Sequence, residues 1–236
     1  MALISQEITK WIYGFLSGCR QRVRVNNSYS DYAEVNSGIP QGSILGPVLF
    51  IILINDLPDV VESTCKIFAD DTKIYNSHNN YKTLQNDLYN LLDWSQTWQL
   101  LFNSSKCSCL HYGNSNNHNK YFIDKDCTSV LNTTTSEKDV GVTFSPDLKF
   151  DLHISNIIKK ANKITGIIKR SFSYLDKNIF LKLYKTIIRP NLEYANVIWN
   201  PQFKRQSIEI KKVQRRATKM LDNLKNLSYL ERLKKT

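Results

Sequence analysis

The chain has 236 residues, of which 42% are hydrophobic and 22% are charged, and its formal net charge is +11. This composition can build a hydrophobic core, so it excludes a wholly disordered, collagen-like or mucin-like chain. Residues 1–148 hold 11 basic and 15 acidic side chains, whereas residues 149–236 hold 21 basic and 6 acidic ones. The strongly basic second part predicts a polyanionic partner, either nucleic acid or a phospholipid surface.

The cysteines and the apolar segments indicate the compartment. Five cysteines, an odd number, do not resemble a disulfide framework. Glu7 and Lys10 interrupt the apolar start, which is therefore not a signal peptide, and the longest apolar stretch, residues 44–54, is too short to cross a bilayer. We expect an intracellular protein, in the nucleus or the cytoplasm and not secreted.

Apolar periodicity predicts the elements of the first part in chain order. The spacing predicts a helix over residues 5–18, a strand over 22–25, a loop over 37–43, a helix-length apolar run over 44–57 and a five-turn helix over 81–101. Between the last two, residues 65–69 and 72–75 read as paired strands with Asp70 and Asp71 in the turn. The sequence therefore predicts a hairpin with two carboxylates at its end.

The second part is predicted to be mostly helical. Strand-like pieces at residues 107–112, 121–123 and 140–144 flank a polar linker at 114–120, and helical patterns follow at 154–172, 180–187 and 208–221. Pro190 is expected to stop the second of these helices. We predict an α+β protein: residues 1–113 with an antiparallel sheet and packed helices, 114–148 connecting strands, and 149–236 a basic helical region.

Two adjacent aspartates are weak evidence by themselves, because aspartate is also favoured in solvated turns. On a rigid hairpin, however, they offer the hard oxygen ligands with which Mg²⁺ is held. Two such ions would activate a hydroxyl and neutralise a leaving pyrophosphate. Both interpretations stay open from the hairpin alone.

Several blocks, taken together, resemble the reverse transcriptases of non-LTR (LINE-type) retrotransposons, especially the jockey-like group. The resemblance is carried by Ser37-Gly38-Ile39-Pro40-Gln41-Gly42-Ser43, Phe68-Ala69-Asp70-Asp71-Thr72, Leu110-His111-Tyr112-Gly113, Arg189-Pro190-Asn191-Leu192-Glu193 and Val213-Gln214-Arg215-Arg216. These blocks occur in order over nearly the whole chain. The resemblance implies an RNA-directed DNA polymerase fragment of a mobile element, with part of a palm followed by a thumb.

The family resemblance also implies site residues. Asp70 and Asp71 would bind Mg²⁺, with Mn²⁺ as an alternative, and Lys106 would protonate pyrophosphate, although a solvated lysine fits that position too. Nucleotide-binding residues would be Gly38, Pro40, Gln41, Gly42 and Phe68; the primer grip would be Leu110, His111, Tyr112 and Gly113; and nucleic acid would contact Lys159, Lys160, Lys163, Lys211, Lys212, Arg215 and Arg216. The implied partners are an RNA template, a DNA primer and dNTPs, with no membrane.

In one respect the sequence departs from this family. The family carries a further catalytic aspartate on an earlier strand, and Glu7, Asp31 and Glu34 do not stand in a matching context. We therefore expect that an upstream polymerase segment supplies this aspartate, or that the chain is an inactive nucleic-acid-binding remnant. An interfacial membrane protein using the basic amphipathic helices is a third alternative.

Two other patterns have less specific interpretations. Cys107, Cys109, His111 and His118 lack the C-x₂₋₄-C pair of most zinc sites, so zinc is disfavoured. The stripe that contains Trp94 and Trp98 has helical spacing and predicts a core face rather than a base-stacking surface.

Overall fold

The computed structural model describes residues 5–40 and 42–235, with His78 described by its backbone only. The chain divides into two compact units. Unit 1 comprises the described residues up to Phe102 together with Ile123–Cys127, and unit 2 comprises Asn103–Phe122 and the described residues from Thr128 onward. Helices and short strands occur in both units, which confirms the α+β class.

Unit 1 begins with a helix and two small ribbons and continues with the hairpin and its supporting helices. Its elements are α1 (Gln6–Leu16), β1 (Arg20–Gln21), β2 (Arg24–Val25), β3 (Ser28–Tyr29), β4 (Ala33–Glu34), α2 (Leu45–Leu53), a 3₁₀ turn (Leu57–Val60), β5 (Thr64–Phe68), β6 (Asp71–Tyr75), a second 3₁₀ turn (His78–Asn80) and α3 (Tyr81–Thr97). Strand β1 pairs with β4, β2 with β3, and β5 with β6, all antiparallel.

The core of unit 1 lies between α2, α3 and one face of the hairpin. Ile54, Leu57, Leu91 and Trp94 are buried, and partly buried side chains from α2 and from both hairpin strands pack against them. Trp94 also donates a hydrogen bond of 3.0 Å from Nε1 to Asp56. The predicted core role of the α3 stripe holds for Trp94, whereas Trp98 lies beyond the helix end and is 48% exposed.

Unit 2 is mainly helical. Its elements are a 3₁₀ turn (Ser104–Lys106), β7 (Ser108–Leu110), β8 (Asn132–Thr134), β9 (Glu137–Asp139), β10 (Val142–Phe144), α4 (Asp151–Ser171), α5 (Lys177–Leu183), a π-helical turn (Tyr184–Ile188), α6 (Arg189–Glu193), α7 (Asn196–Trp199), α8 (Lys204–Thr218), a 3₁₀ turn (Asp222–Leu224) and α9 (Tyr229–Lys235). In the part of the chain that is described, no helix is long and apolar enough to cross a membrane.

Helix α4 is the centre of unit 2. Ala161 and Ile168 on α4 are buried against Phe180 of α5 and against Val213 and Ala217 of α8. The buried Gln206 side chain donates hydrogen bonds to the Lys149 carbonyl and the Asp151 carboxylate, so α4 and α8 start side by side. The two basic helices are thereby fixed relative to one another.

Two expectations about local structure are corrected. Pro190 does not stop a helix, because it lies in the first turn of α6, where the missing N–H is not needed, and the chain reaches it through a π-helical turn. The strands do not form one antiparallel sheet either. Over residues 5–40 and 42–235 they form separate two-stranded pairs, and one of these, β7 with β8, is parallel.

Candidate active site and nucleic-acid interface

The hairpin places the two aspartates differently from each other. In the register of β5 and β6, Phe68 is opposite Asp71, so the turn consists of Ala69 and Asp70. The expectation that both aspartates lie in the turn is therefore wrong for Asp71, which is the first residue of β6. Both aspartates are exposed. The hairpin thus presents one carboxylate from its turn and the next from a hydrogen-bonded strand.

The direction of Asp71 follows from the alternation of the strands. Cys65 and Ile67 of β5 and Ile74 of β6 pack against the core. Directly opposed residues of an antiparallel pair share a face, and neighbours along a strand alternate. Phe68 and Asp71 therefore lie on the face away from the core, and Phe68 is 59% exposed. An aromatic ring and a carboxylate are available together on this surface.

The turn itself is conformationally constrained. Ala69 has a φ of +52°, in the left-handed region that residues with a Cβ rarely occupy. Such a conformation costs about 1–2 kcal/mol per residue. It persists here because the five-residue strands on both sides fix the register. The turn that carries Asp70 is therefore held by its strands.

Asp87 of α3 connects this helix to the base of the hairpin through hydrogen bonds. The buried Asp87 carboxylate accepts hydrogen bonds of 2.9 Å from the backbone N–H groups of Glu62 and Ser63, immediately before β5. Sequence reasoning missed this role. The signal was present, because Asp87 lies three residues after Leu84 and four before Leu91, on the apolar stripe of α3. A charged residue in that stripe indicates a buried polar contact.

The loop before α2 has a defined shape. Gly38 and Gly42 have φ of +85° and +82°, a conformation that glycine adopts without steric cost. The Ser43 hydroxyl donates to the Pro40 carbonyl at 2.8 Å and accepts from the Gly46 N–H at 3.0 Å, so it links the loop to the first turn of α2. Gln41 lies outside the described residues.

Gly46 is a second residue whose role sequence reasoning missed. A Cβ at this position would lie 2.9 Å from Ile39 Cγ2 and 2.9 Å from Ser43 Oγ. A side chain at residue 46 would therefore force Ile39 and Ser43 to move, so glycine lets the loop lie close to α2. Since Phe50 of α2 packs in the same core as the hairpin strands, one hydrophobic core supports both the loop and the carboxylates.

The donor set at the hairpin suits a hard, partly hydrated cation. Across residues 5–40 and 42–235 no cluster of three or more His, Cys, Asp or Glu side chains could hold a metal. Mg²⁺ is commonly held by one or two carboxylates together with waters and substrate phosphates. Asp70 and Asp71 match this ligand type, because they are adjacent, exposed and carried by a rigid hairpin.

The remaining predicted site residues from the middle of the chain lie in unit 2. Lys106 ends the 3₁₀ turn Ser104–Lys106 and is exposed. Leu110 ends β7, and the Gly113 N–H donates to the Pro146 carbonyl at 3.1 Å. Tyr112 is partly exposed, and burial raises its pKa. Tyr112 and Gly113 are thus the exposed members of the predicted primer grip.

His111 is directed into the protein. Its ring is buried, lies 4.9 Å from the His118 ring and 6.2 Å from the Tyr121 ring, and Cys109 Sγ is 3.7 Å from its Nε2. Burial and the neighbouring His118 lower the pKa of His111. The contacts are those of a packed aromatic cluster.

The basic helices display most of their charge to solvent. Lys159, Lys160 and Lys163 on α4 are exposed and form no ion pair with any described residue. On α8, Lys211, Lys212, Arg215 and Arg216 are also exposed; Lys212 pairs with Glu209, and the Arg215 guanidinium lies 4.8 Å from the Tyr229 ring centroid. Both helices therefore present exposed cations of the kind that contact a phosphate backbone.

Comparisons with known proteins identify the family of the chain. The family described as "Reverse transcriptase (RNA-dependent DNA polymerase)" matches residues 2–176. The chain is 30% identical over 200 residues to the probable RNA-directed DNA polymerase from transposon X-element of Drosophila melanogaster. The aligned region covers 78% of this chain and 22% of the relative. It is 27% identical over 219 residues to the RNA-directed DNA polymerase from mobile element jockey of Drosophila funebris, covering 82% of this chain and 23% of the relative.

The matches cover most of this chain but only a small part of each relative. A third relative, the probable RNA-directed DNA polymerase from transposon BS of Drosophila melanogaster, is 25% identical over 233 residues, or 88% of this chain and 24% of the relative. The chain thus spans less than a quarter of the length of these relatives. No solved structure matches it significantly. The resemblance to jockey-like elements drawn from the motifs is confirmed, and the chain belongs to the reverse transcriptase family of RNA-directed DNA polymerases.

Proposed function

We propose that this chain supplies part of the palm and the thumb of an RNA-directed DNA polymerase of a mobile element. The observation that carries the proposal is the hairpin that ends in Asp70 and Asp71, two exposed carboxylates on strands fixed by a hydrophobic core. Its substrates would be an RNA template, a DNA primer and dNTPs. The chain would then act where these occur, in the nucleus or the cytoplasm.

Asp70 and Asp71 are the proposed ligands of the divalent cation, Mg²⁺ by preference and Mn²⁺ as an alternative. When bound, the cation would supply charge neutralisation for the triphosphate and activation of the primer 3′-OH. The protein's own contribution is rigidity. Cross-strand pairing fixes Asp71, and the Asp87 hydrogen bonds anchor the start of β5.

The loop and Phe68 are the proposed nucleotide contacts. Gly38 and Gly42 let the backbone approach a base pair closely, because no Cβ stands in the way. The amide of Gln41 would offer both a donor and an acceptor. The exposed Phe68 ring shares a face with Asp71, so it could pack against the sugar or base beside the reacting groups.

Residues of unit 2 are the proposed contacts to the leaving pyrophosphate and to the nucleic-acid strands. Lys106 is proposed to protonate pyrophosphate, and Leu110, His111, Tyr112 and Gly113 to form the primer grip, in which Tyr112 and Gly113 are exposed and His111 is buried. In this proposal residues 1–113 form the palm part, 114–148 the connection and 149–236 the thumb. The uncompensated lysines of α4 and the cations of α8 support the thumb assignment.

Primer extension tests the proposal. The full chain is incubated with an RNA template, an annealed DNA primer, dNTPs and Mg²⁺, beside the double variant Asp70→Asn and Asp71→Asn. The matched control is Asp93→Asn, an exposed aspartate of α3 in the same unit. Extension lost only in the double variant supports the site. Extension that survives the double variant refutes it, and no extension by the wild type refutes polymerisation by this chain alone.

A further inference from the structure

The segment between α1 and the glycine loop forms two exposed ribbons, and none of its residues belongs to a hydrophobic core of the described chain. Every residue from 20 to 34 is exposed. The register is nevertheless defined, since Arg24 is opposite Tyr29 and the Val23 N–H donates to the Ser30 hydroxyl at 2.9 Å. Isolated two-stranded ribbons are marginal in water. Packing among the described residues therefore does not account for the order of this ribbon.

Its surface combines arginine with tyrosine. The Arg22 guanidinium carbon lies 4.0 Å from the Tyr29 ring centroid and 4.7 Å from that of Tyr32, and the Arg24 guanidinium carbon lies 5.4 Å from that of Tyr29. The two rings are 49% and 60% exposed. Arg22 and Arg24 form no ion pair among the residues that the structure describes. These four side chains are called the Arg–Tyr cluster below.

The chemistry of the cluster favours one ligand class. A guanidinium held against an aromatic ring keeps its N–H edge for a phosphate and offers its own plane for stacking. Unpaired bases stack on tyrosine rings and arginine planes, whereas the bases of a duplex are covered by their neighbours. Unpaired cations together with exposed rings therefore suit a single strand better than a duplex.

The position of the cluster indicates which nucleic-acid strand it would bind. Strand β4 ends at Glu34, and Gly38 of the glycine loop follows four residues later in the same unit. At about 3.3 Å per extended residue, this connection spans at most about 13 Å. A strand lying on the ribbon could thus continue to the loop that is proposed to face the templating base.

We propose that the Arg–Tyr cluster binds the single-stranded part of the RNA template before it reaches the glycine loop. This proposal rests on the proposed polymerase function. It adds a contact site that is separate from the basic helices α4 and α8, and it assigns the two kinds of surface to different nucleic-acid forms.

The test is fluorescence anisotropy of the full chain with a labelled single-stranded RNA and with a labelled RNA–DNA duplex, each at several salt concentrations. The variants are Arg22→Ala with Arg24→Ala, and Arg22→Lys with Arg24→Lys. Lys82→Ala is the control, because Lys82 is an exposed cation of α3 in the same unit. Circular dichroism should show unchanged unfolding, since none of these side chains is buried.

The alanine pair should weaken single-strand binding roughly tenfold and reduce the slope of log K against log salt by about 1.4, or 0.7 for each lost phosphate contact. The lysine pair should keep the slope but still bind more weakly, because stacking is lost. Single-strand binding that is unchanged in the alanine pair, or a loss equally large for the duplex, would overturn the proposal. If the chain extends no primer but the alanine pair still weakens single-strand binding selectively, only polymerisation by this chain is overturned, and the contact of the Arg–Tyr cluster with a single strand stands.

Discussion

Replacement of Asp87 by alanine should destabilise unit 1 strongly, although Asp87 is remote in sequence from the hairpin end. The carboxylate is 1% exposed and accepts two backbone hydrogen bonds of 2.9 Å, from Glu62 and Ser63. A hydrogen bond to a charged group contributes about 1.5–3 kcal/mol, and removal of the acceptor leaves two N–H donors without a partner. We therefore expect a loss of about 3–5 kcal/mol, a large part of the roughly 5–15 kcal/mol by which a domain is stable.

Urea unfolding followed by tryptophan fluorescence measures this loss, because Trp94 lies in the same core as Leu91 on α3. With a slope of about 2 kcal/mol per M, the midpoint should fall by roughly 1.5–2.5 M. Asp93→Ala is the matched control on the same helix. Its 2.6 Å ion pair with Lys125 is about half exposed, so its loss should cost at most about 1 kcal/mol. Equal effects of the two substitutions would refute the anchoring role of Asp87.

Three further predictions concern the loop, the turn and unit 2. Gly46→Ala should cost about 1–3 kcal/mol in thermal unfolding, because its Cβ would overlap Ile39 and Ser43, whereas Gly14→Ala, with open space around it, should cost nothing; equal melting temperatures would contradict the tight loop. Ala69→Val should destabilise the hairpin by about 1–2 kcal/mol, whereas Ala69→Gly should leave its stability unchanged or raise it by up to about 1 kcal/mol, since φ is +52° and glycine adopts this φ without strain; hydrogen exchange of β5 and β6 amides that is equally slow in both variants would contradict the strain. Burial lowers the pKa of His153 from 6.5, and its Nδ1 accepts from the Thr143 N–H, so the unfolded chain binds more protons than the native chain below about pH 6.5. Stability should be full above that pH and fall below it, and His153→Gln should reduce the change in melting temperature between about pH 8 and about pH 5; an unchanged pH dependence would exclude His153 as a cause.

The parts of the fold that sequence predicted are those dominated by regular apolar spacing. For the long helices α3 and α4 and for the hairpin, the predicted ends lie within a few residues of the observed ends. Each of these elements buries one continuous stripe or one alternating face, which the sequence pattern marks. Strands β8 and β9 were not predicted. They are three residues long, and β8 is polar and pairs in parallel with a distant segment, so no local pattern marks it.

Some residues of the candidate site could likewise be predicted from the sequence and others could not. The aspartates and the glycine loop were found through motif spacing, but the register that places Asp71 in a strand depends on which residues pair across the turn. The roles of Asp87 and Gly46 depend on contacts with other segments of the chain. The exposed Arg–Tyr cluster could not be predicted either, because residues 22 to 32 meet only when two short ribbons fold back on themselves.

The most direct test of the central claim is site-resolved metal binding. Backbone amide resonances of the full chain are recorded during a titration with Mn²⁺, in the presence of a dNTP. The proposed site predicts paramagnetic broadening centred on residues 68–72, and its loss in the double variant Asp70→Asn and Asp71→Asn. Broadening that shows no preference for these residues, or that is unchanged in the double variant, would contradict the assignment of Asp70 and Asp71 as the metal ligands.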